Sequence, residues 1–428
     1  MFSIPYDGGK IISRILKPKN VRFILPKKIK PKRSDYLKRA LKNPVNSKKL
    51  EEENFEKPAL LIADNTRLPS PYAPSLVRIL EKKTDKIKII VTCGTHPSPT
   101  LEHPKKVLGK DLFDVYRKSI IISSTKNPKS KYEYIGKTRR GTEVELNREL
   151  LKCDFVLSTL CVRPHYFAGW EGGAKALLPG CSSAKTIGEN HSYVIGDPES
   201  RELFIQGNKV REDINDVPNL LEEKTGIRHR ILDFVPNKDD EPVEVKYGEP
   251  VKTHTQLAEF AKKIYQVKTK PSSLIISIAE ESLSGVFYQA LKAAVHASNV
   301  IKYKNHLKPT LILIGKMQGG IGTDVFKKEF KTYMNMEPKK VVQDLRRRVK
   351  EGTFNETLQK INRLMMFVPK INFIVVSDKA PKEVECLIRE KKIPFFRKLD
   401  DALSTIDHNL LKDVLIIPEG ASTVPTPI

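Results

Sequence analysis

Short apolar, β-branched runs recur along this chain, each four to eight residues long and apolar on both faces. ALLIAD (59–64), IKIIVTCG (87–94), SIIISST (119–125) and CDFVLSTL (153–160) come first; after a gap follow SLIISIA (273–279), TLILIG (310–315), NFIVVSD (372–378) and DVLIIPEG (413–420). Runs of this kind predict strands buried on both faces, as in parallel sheets. Between many of them lie segments of helical period, such as PSLVRILEKKTDK and VFYQALKAAVHASNVIK. The alternation predicts α/β layers joined by right-handed crossovers. The turn-rich VPNKDDEPVEVKYGEPVK (235–252) predicts a small hairpin ending a first domain, a helix follows over about 255–266, and VKTKPSS reads as the connection onward. With 428 residues one core is not expected. The predicted organisation is two domains, 1–268 and 269–428, each a mostly parallel sheet flanked by helices.

Composition changes this picture little. The chain is 39% hydrophobic and 30% charged, as soluble globular proteins are, and no apolar run approaches a membrane span. The start, MFSIPYDGGK, lacks a signal-peptide pattern, so a cytoplasmic protein without a membrane partner is expected. Five cysteines, odd in number and without a CxxC pair, suggest neither a zinc knuckle nor a disulfide framework and are expected to be reduced interior residues. The charge is more informative: the net value is +25, and between Lys10 and Lys49 stand fifteen Lys or Arg against one acid, Asp35. Such a footprint suits nucleic acid, but no RRM, KH, zinc-finger or helix-turn-helix signature accompanies it, so a lysine-rich surface that gathers anionic substrates is the preferred reading.

Chemistry in open parallel sheets collects beyond the carboxyl ends of strands. Three such ends carry ionisable groups: Asp64 and Arg67 in ADNTRLP, His96 in CGTHP, and His165 in CVRPHYFAGW. A lone histidine after a strand is ordinarily a hydrogen-bonded structural residue; three ends converging on one sheet edge argue for a site. HYFAGWEGGAKALLPG (165–180) then places Lys175 behind two glycines and ahead of an apolar run. The loop does not match the Walker or GxGxxG patterns. Glycines flanking a lysine let something bulky approach the amine, and a lysine in a partly apolar setting can become a nucleophile. A helix cap or a pair with Glu171 is the plainer alternative. His191 has no acid or cysteine at zinc-site spacing, and His103, His229, His254, His306 and His408 read as surface residues. In the second domain a helix beginning near Ser284 puts Gln289 and Lys292 on one face, continued by His296. An amide and an ammonium there suit a carboxylate, as against a merely solvated face.

DNTRLPSP, CGTH, PHYFAGWEGGAKALLPG, ENH, GNKVREDI and FYQALK occur in the order and spacing of the nickel-dependent lactate racemase family, and the resemblance runs from IPYDGGK near the start into the second domain. It implies an isomerase that inverts C2 of a 2-hydroxy acid in a cleft between the domains. Lys175 would tether a nickel pincer nucleotide, a pyridinium mononucleotide with two sulfur-bearing arms, supplied by cofactor-maturation enzymes. Asp64, Thr66, Gly172 and Gly173 would line that cofactor, and His191 would ligate its nickel. His96 and His165 would serve as alternate acid and base; Arg67, Gln289 and Lys292 would hold the substrate, a small 2-hydroxy carboxylate. Trp170, Glu171, Pro97 and Lys209 depart from the family's usual residues, which bears on the substrate, so malate or a sugar acid stays open beside lactate. A non-catalytic nucleic-acid-binding protein using the basic segment is the remaining alternative.

Overall fold

The structure is a computed structural model and describes residues 2–6, 9–32, 35–303, 306–355 and 357–428. Asp7 and Gly8 of the IPYDGGK segment lie outside the described residues. All eight predicted strands form, at Pro58–Ala63, Lys88–Gly94, Ile120–Ser124, Phe155–Thr159, Leu274–Ile278, Thr310–Ile314, Asn372–Val376 and Val414–Ile417. They divide four and four between two six-stranded sheets. The fold is α/β with parallel-dominated sheets flanked by helices.

In the first sheet, Arg228–Pro236, Phe155–Thr159, Pro58–Ala63, Lys88–Gly94 and Ile120–Ser124 run parallel in that order. Pro242–Gly248 closes one edge as the antiparallel arm of the expected hairpin. The hairpin is longer than its turn signals implied, because Arg228–Pro236 is itself a central strand. Helix Ala73–Leu80 lays Leu76, Val77 and Leu80 on this sheet, the 3.6-residue period of PSLVRIL at work. The apolar cluster beneath also takes in Leu60, Ile62, Ile89, Val91, Phe155 and Phe234.

The second sheet is parallel throughout, in the order Phe395–Phe396, Asn372–Val376, Thr310–Ile314, Leu274–Ile278, Val414–Ile417 and Val21–Phe23. Its last member comes from the basic N-terminal segment. Compact units accordingly divide the chain otherwise than at 268/269: one comprises Met1–Lys27, Ile264–Lys350 and Thr357–Ile428, the other Lys28–Lys263 with Glu351–Glu356. Backbone pairing explains the reassignment, since the strand Val21–Phe23 finds open donors and acceptors along Val414–Ile416. Arg22 completes it with an ion pair to Asp413 (2.9 Å).

The predicted helix near Ser284 is two pieces, Glu281–Ser284 and Phe287–Ala297. Gln289 and Lys292 are half-buried on the second, but His296 does not share their setting: it is buried, its Nδ1 3.1 Å from the Gly420 carbonyl. His229 and His254 are likewise buried rather than at the surface, and of the cysteines Cys386 is exposed while the other four are interior. Among the described residues, no helix is long and apolar enough to cross a membrane.

Phe155, fully buried and stacked on Phe55 with ring centroids 5.1 Å apart, is a test of this packing. Phe155→Ala should lower unfolding stability by about 3–5 kcal/mol, read as a fall in the denaturant midpoint.

Candidate active site

Every functional side chain predicted in the first domain sits at or beyond the carboxyl edge of the first sheet. Asp64 directly follows the Pro58–Ala63 strand and is 1% exposed. Its Oδ1 accepts from the Thr66 backbone N–H (2.8 Å) and hydroxyl (2.6 Å), and its Oδ2 lies 2.6 Å from His96 Nδ1. Burial pushes this carboxyl up, but the hydrogen bond from His96, the charges of His96 and Arg67, and the Thr66 hydroxyl outweigh it and hold Asp64 at about 2. Asp64 is therefore a carboxylate backing an imidazole. Arg67 Nη1 donates to the Thr66 hydroxyl (3.1 Å), while its Nε faces Glu171 at 3.6 Å. The Glu171 carboxylate also accepts from Cys161 Sγ at 3.7 Å.

The second cluster centres on Phe167. Its ring meets His165 edge-on (4.5 Å between centroids) and His191 likewise (4.9 Å), and Lys175 Nζ stands 5.7 Å from its centre. His165 is on a two-residue strand, Pro164–His165, paired with Gly169–Trp170. Lys175 is on the 3-10 turn Gly173–Ala176, and His191 ends helix Ala184–Ser192, which Ser183 caps through its hydroxyl. Burial first, then the charge of Lys175 and the proximity of His96, bring the His191 imidazole down to about 3. It is neutral at physiological pH, as a metal-binding imidazole must be.

The lysine loop is held from two sides by residues that sequence reasoning missed. Asp233, buried in the Arg228–Pro236 strand, accepts the backbone N–H groups of Leu160 (2.8 Å) and Gly173 (2.7 Å). Burial pushes its carboxyl up to about 7, against the pull of those two N–H groups and of Arg211. Arg211, fully buried in the first turn of helix Lys209–Thr225, donates to the carbonyls of Ala168 (2.9 Å), Gly172 (3.3 Å) and Trp170. His254 closes the third side with Nε2 2.9 Å from the Glu171 carbonyl. This explains the glycine pair. Gly172 sits at φ 79, ψ −172, a region essentially reserved to glycine, and a Cβ there would lie 2.9 Å from Asp233 Oδ2 and from Val162 Cγ2. A Cβ on Gly173 would meet the His254 ring at 2.8 Å. Arg211 did have a sequence signal, its place in GNKVREDI; Asp233 and His254 had none, because their neighbours are distant in the chain.

His191 is oriented by a relay. Asn190 Nδ2 donates to the Val210 carbonyl (3.1 Å) and to Asp213 Oδ2 (2.8 Å), which leaves its Oδ1 facing His191 Nδ1 at 3.0 Å. Nδ1 therefore carries the proton and Nε2 the lone pair, the arrangement of a metal-ligating histidine with a polar residue behind it. Among the described residues no group of three or more His, Cys, Asp or Glu could hold a metal alone. Gln289 and Lys292 belong to the other compact unit.

The chain resembles known proteins over its whole length. Residues 6–202 match the lactate racemase N-terminal domain family. The lactate racemase of Thermoanaerobacterium thermosaccharolyticum is 26% identical over 98% of each chain, and that of Lactiplantibacillus plantarum 28% identical over 68% of each. The solved lactate racemase apoprotein from T. thermosaccharolyticum superposes with TM-score 0.84 at 25% identity, covering 99% of both chains. A Thermotoga maritima crystal structure, 17% identical with TM-score 0.66 over 89% of this chain and 96% of its own, shares the fold.

Two outcomes follow from the geometry. Gly172→Ala should cost about 1–3 kcal/mol from backbone strain alone, seen as a lower unfolding midpoint. Asp64, held at about 2 against 3.8 in the open chain, contributes about 2 kcal/mol that is present above pH 4 and lost as pH falls toward 2. Asp64→Asn should flatten the stability curve in that window.

Proposed function

This chain belongs to the lactate racemase family and is an isomerase, and on that premise we propose that it inverts C2 of lactate or a related 2-hydroxy carboxylate. The observation that carries the reading is a pair of neighbouring clusters: a carboxylate-backed imidazole (His96) near enough to act electrostatically on His191, and a second imidazole (His165), a glycine-walled lysine (Lys175) and the neutral, oriented His191 gathered round the Phe167 ring. In this reading Lys175 would tether a nickel pincer nucleotide delivered by maturation enzymes, His191 would ligate its metal, and Asp64, Thr66, Gly172 and Gly173 would line it. When bound, it supplies a hydride acceptor for C2, which no side chain offers.

The remaining work belongs to the chain. His96 and His165 move the substrate's hydroxyl proton, one as base and the other as acid, the roles exchanging with the substrate's hand. Arg67 is assigned to the substrate carboxylate, since a guanidinium suits an anion; Gln289 and Lys292, on one helix of the other unit, offer an amide and an ammonium that suit a carboxylate as well. Glu171 beside Arg67 offsets part of that positive charge in the free enzyme. The Asp233 and Arg211 clamp ties down the backbone of the Lys175 loop, so little ordering cost would fall on cofactor attachment.

Intact-mass measurement of protein produced together with the maturation enzymes tests the assignment. The wild type should exceed the bare polypeptide mass, Lys175→Ala should not, and His191→Ala should lose nickel by metal analysis. A wild-type mass equal to the polypeptide would refute the tether, and loaded protein that leaves each enantiomer of lactate, malate and a sugar acid unchanged would refute the reaction.

A further inference from the structure

A cavity of about 540 Å³ opens at the carboxyl edge of the second sheet, and every residue lining it belongs to the unit that holds that sheet. Two of its lining residues, Ile314 and Val376, end the neighbouring parallel strands Thr310–Ile314 and Asn372–Val376. Ligands of open parallel sheets collect beyond such ends. The strand that leads to Gln289 and Lys292 is a different one, Leu274–Ile278. The antiparallel hairpin of Phe2–Tyr6 and Gly9–Ser13 adds Lys10, Ile11 and Ile12 to the lining, and Arg14 follows it. Asp400 ties this hairpin down: its Oδ1 accepts from the Ser13 hydroxyl (2.5 Å) and its Oδ2 from the Arg14 backbone N–H (2.9 Å). Both oxygens of that acid are thereby engaged. Arg397 is anchored too, donating to the Ala380 carbonyl (2.6 Å) and to Glu385 Oε2 (2.5 Å). Lys10, Arg14 and Lys398, by contrast, line the cavity and make no ion pair among the described residues, and neither does Asp378, which directly follows Ser377 at the same strand end.

Three cations without a counter-charge on a cavity walled by Ile11, Ile314, Val376 and Leu399 suit an anion that carries an apolar body. A lone carboxylate among those cations cannot bind the anion itself; it accepts hydroxyl groups. We propose that this cavity binds a nucleoside phosphate, with the phosphate on Lys10, Arg14 and Lys398, the sugar hydroxyls on Asp378 and the base against the apolar wall. The volume lies within the range of about 300–1,000 Å³ usual for small-molecule sites. The site is separate from the racemase reading and does not rest on it. It also gives the start of the basic N-terminal segment a chemical task, since Lys10 and Arg14 both belong to that segment.

Isothermal titration of the full-length chain, produced without maturation enzymes, with AMP, adenosine and inorganic phosphate tests the site. AMP should bind at least about tenfold more tightly than either fragment, because only AMP engages both the cations and the apolar wall. Arg14→Gln and Lys398→Gln should each weaken AMP about three- to tenfold, as the loss of one hydrogen bond to phosphate would. Both side chains are exposed, so these variants should fold as the wild type does. Lys175→Ala separates the cavity from the cofactor lysine. Unchanged AMP affinity in that variant supports the cavity; affinity lost there but kept in the Arg14 and Lys398 variants overturns it. Absence of AMP binding, adenosine bound as tightly as AMP, or inorganic phosphate bound as tightly as AMP would each refute the assignment. A failure of the racemase reading would show in intact mass and turnover and leave these titrations unchanged.

Discussion

The candidate site depends on a buried ion-and-carbonyl clamp around one loop. Residues 168–173 run between the Asp233 carboxylate, which takes the Gly173 N–H and, from the neighbouring strand end, that of Leu160, and the Arg211 guanidinium, which gives to three backbone carbonyls. A buried loop must find partners for its polar backbone atoms, and here one acid and one base supply four of them. The cost is two charged groups taken out of water; for Asp233 it shows in a carboxyl raised to about 7. What the arrangement secures is a single backbone path for Lys175. The glycines are its consequence, since no room is left for a Cβ beside Asp233 or His254.

Around that loop the electrostatics sort four imidazoles into different tasks. His96 is backed by a carboxylate held at about 2, so a proton added to it has a counter-charge at hand. His191 is kept neutral by burial and by the neighbouring Lys175 charge, and the Asn190–Asp213 relay selects which nitrogen it offers. His254 spends its Nε2 proton on the loop backbone. His165 packs between Tyr166 and Phe167 and accepts from Ala168. One side-chain type thus stands in four different settings, set by which partner holds each ring nitrogen.

The basic N-terminal segment has a structural share in this molecule. Val21–Phe23 completes the parallel sheet of the second unit, and Arg22 and Arg39 are engaged with Asp413 and Glu244. Many of its remaining lysines are exposed, a positive surface suited to gathering small anions.

The sequence by itself determined the eight buried strands, their parallel layering and the residues that end them, because apolar runs and the groups just beyond them are local facts. Resemblance to the racemase family then singled out Lys175, His191, His96 and His165 as candidates. What no local pattern carried was contact between segments far apart in the chain. Arg228–Pro236 (RHRILDFVP) breaks its apolar residues with charged ones and goes unread as a strand until Phe155–Thr159 pairs beside it. Asp233, on that strand, is an ordinary acid until folding buries it against Gly173, sixty residues away. His254 sits among polar neighbours in the chain and His296 continues the helix face of Gln289 and Lys292, yet both lie in the interior of the fold. The assignment of residues 1–27 to the second sheet rests on an edge hydrogen-bond ladder across some 390 residues. Tertiary structure alone decided these, since a residue's burial and its hydrogen-bond partners belong to the packed chain and not to its place in the sequence.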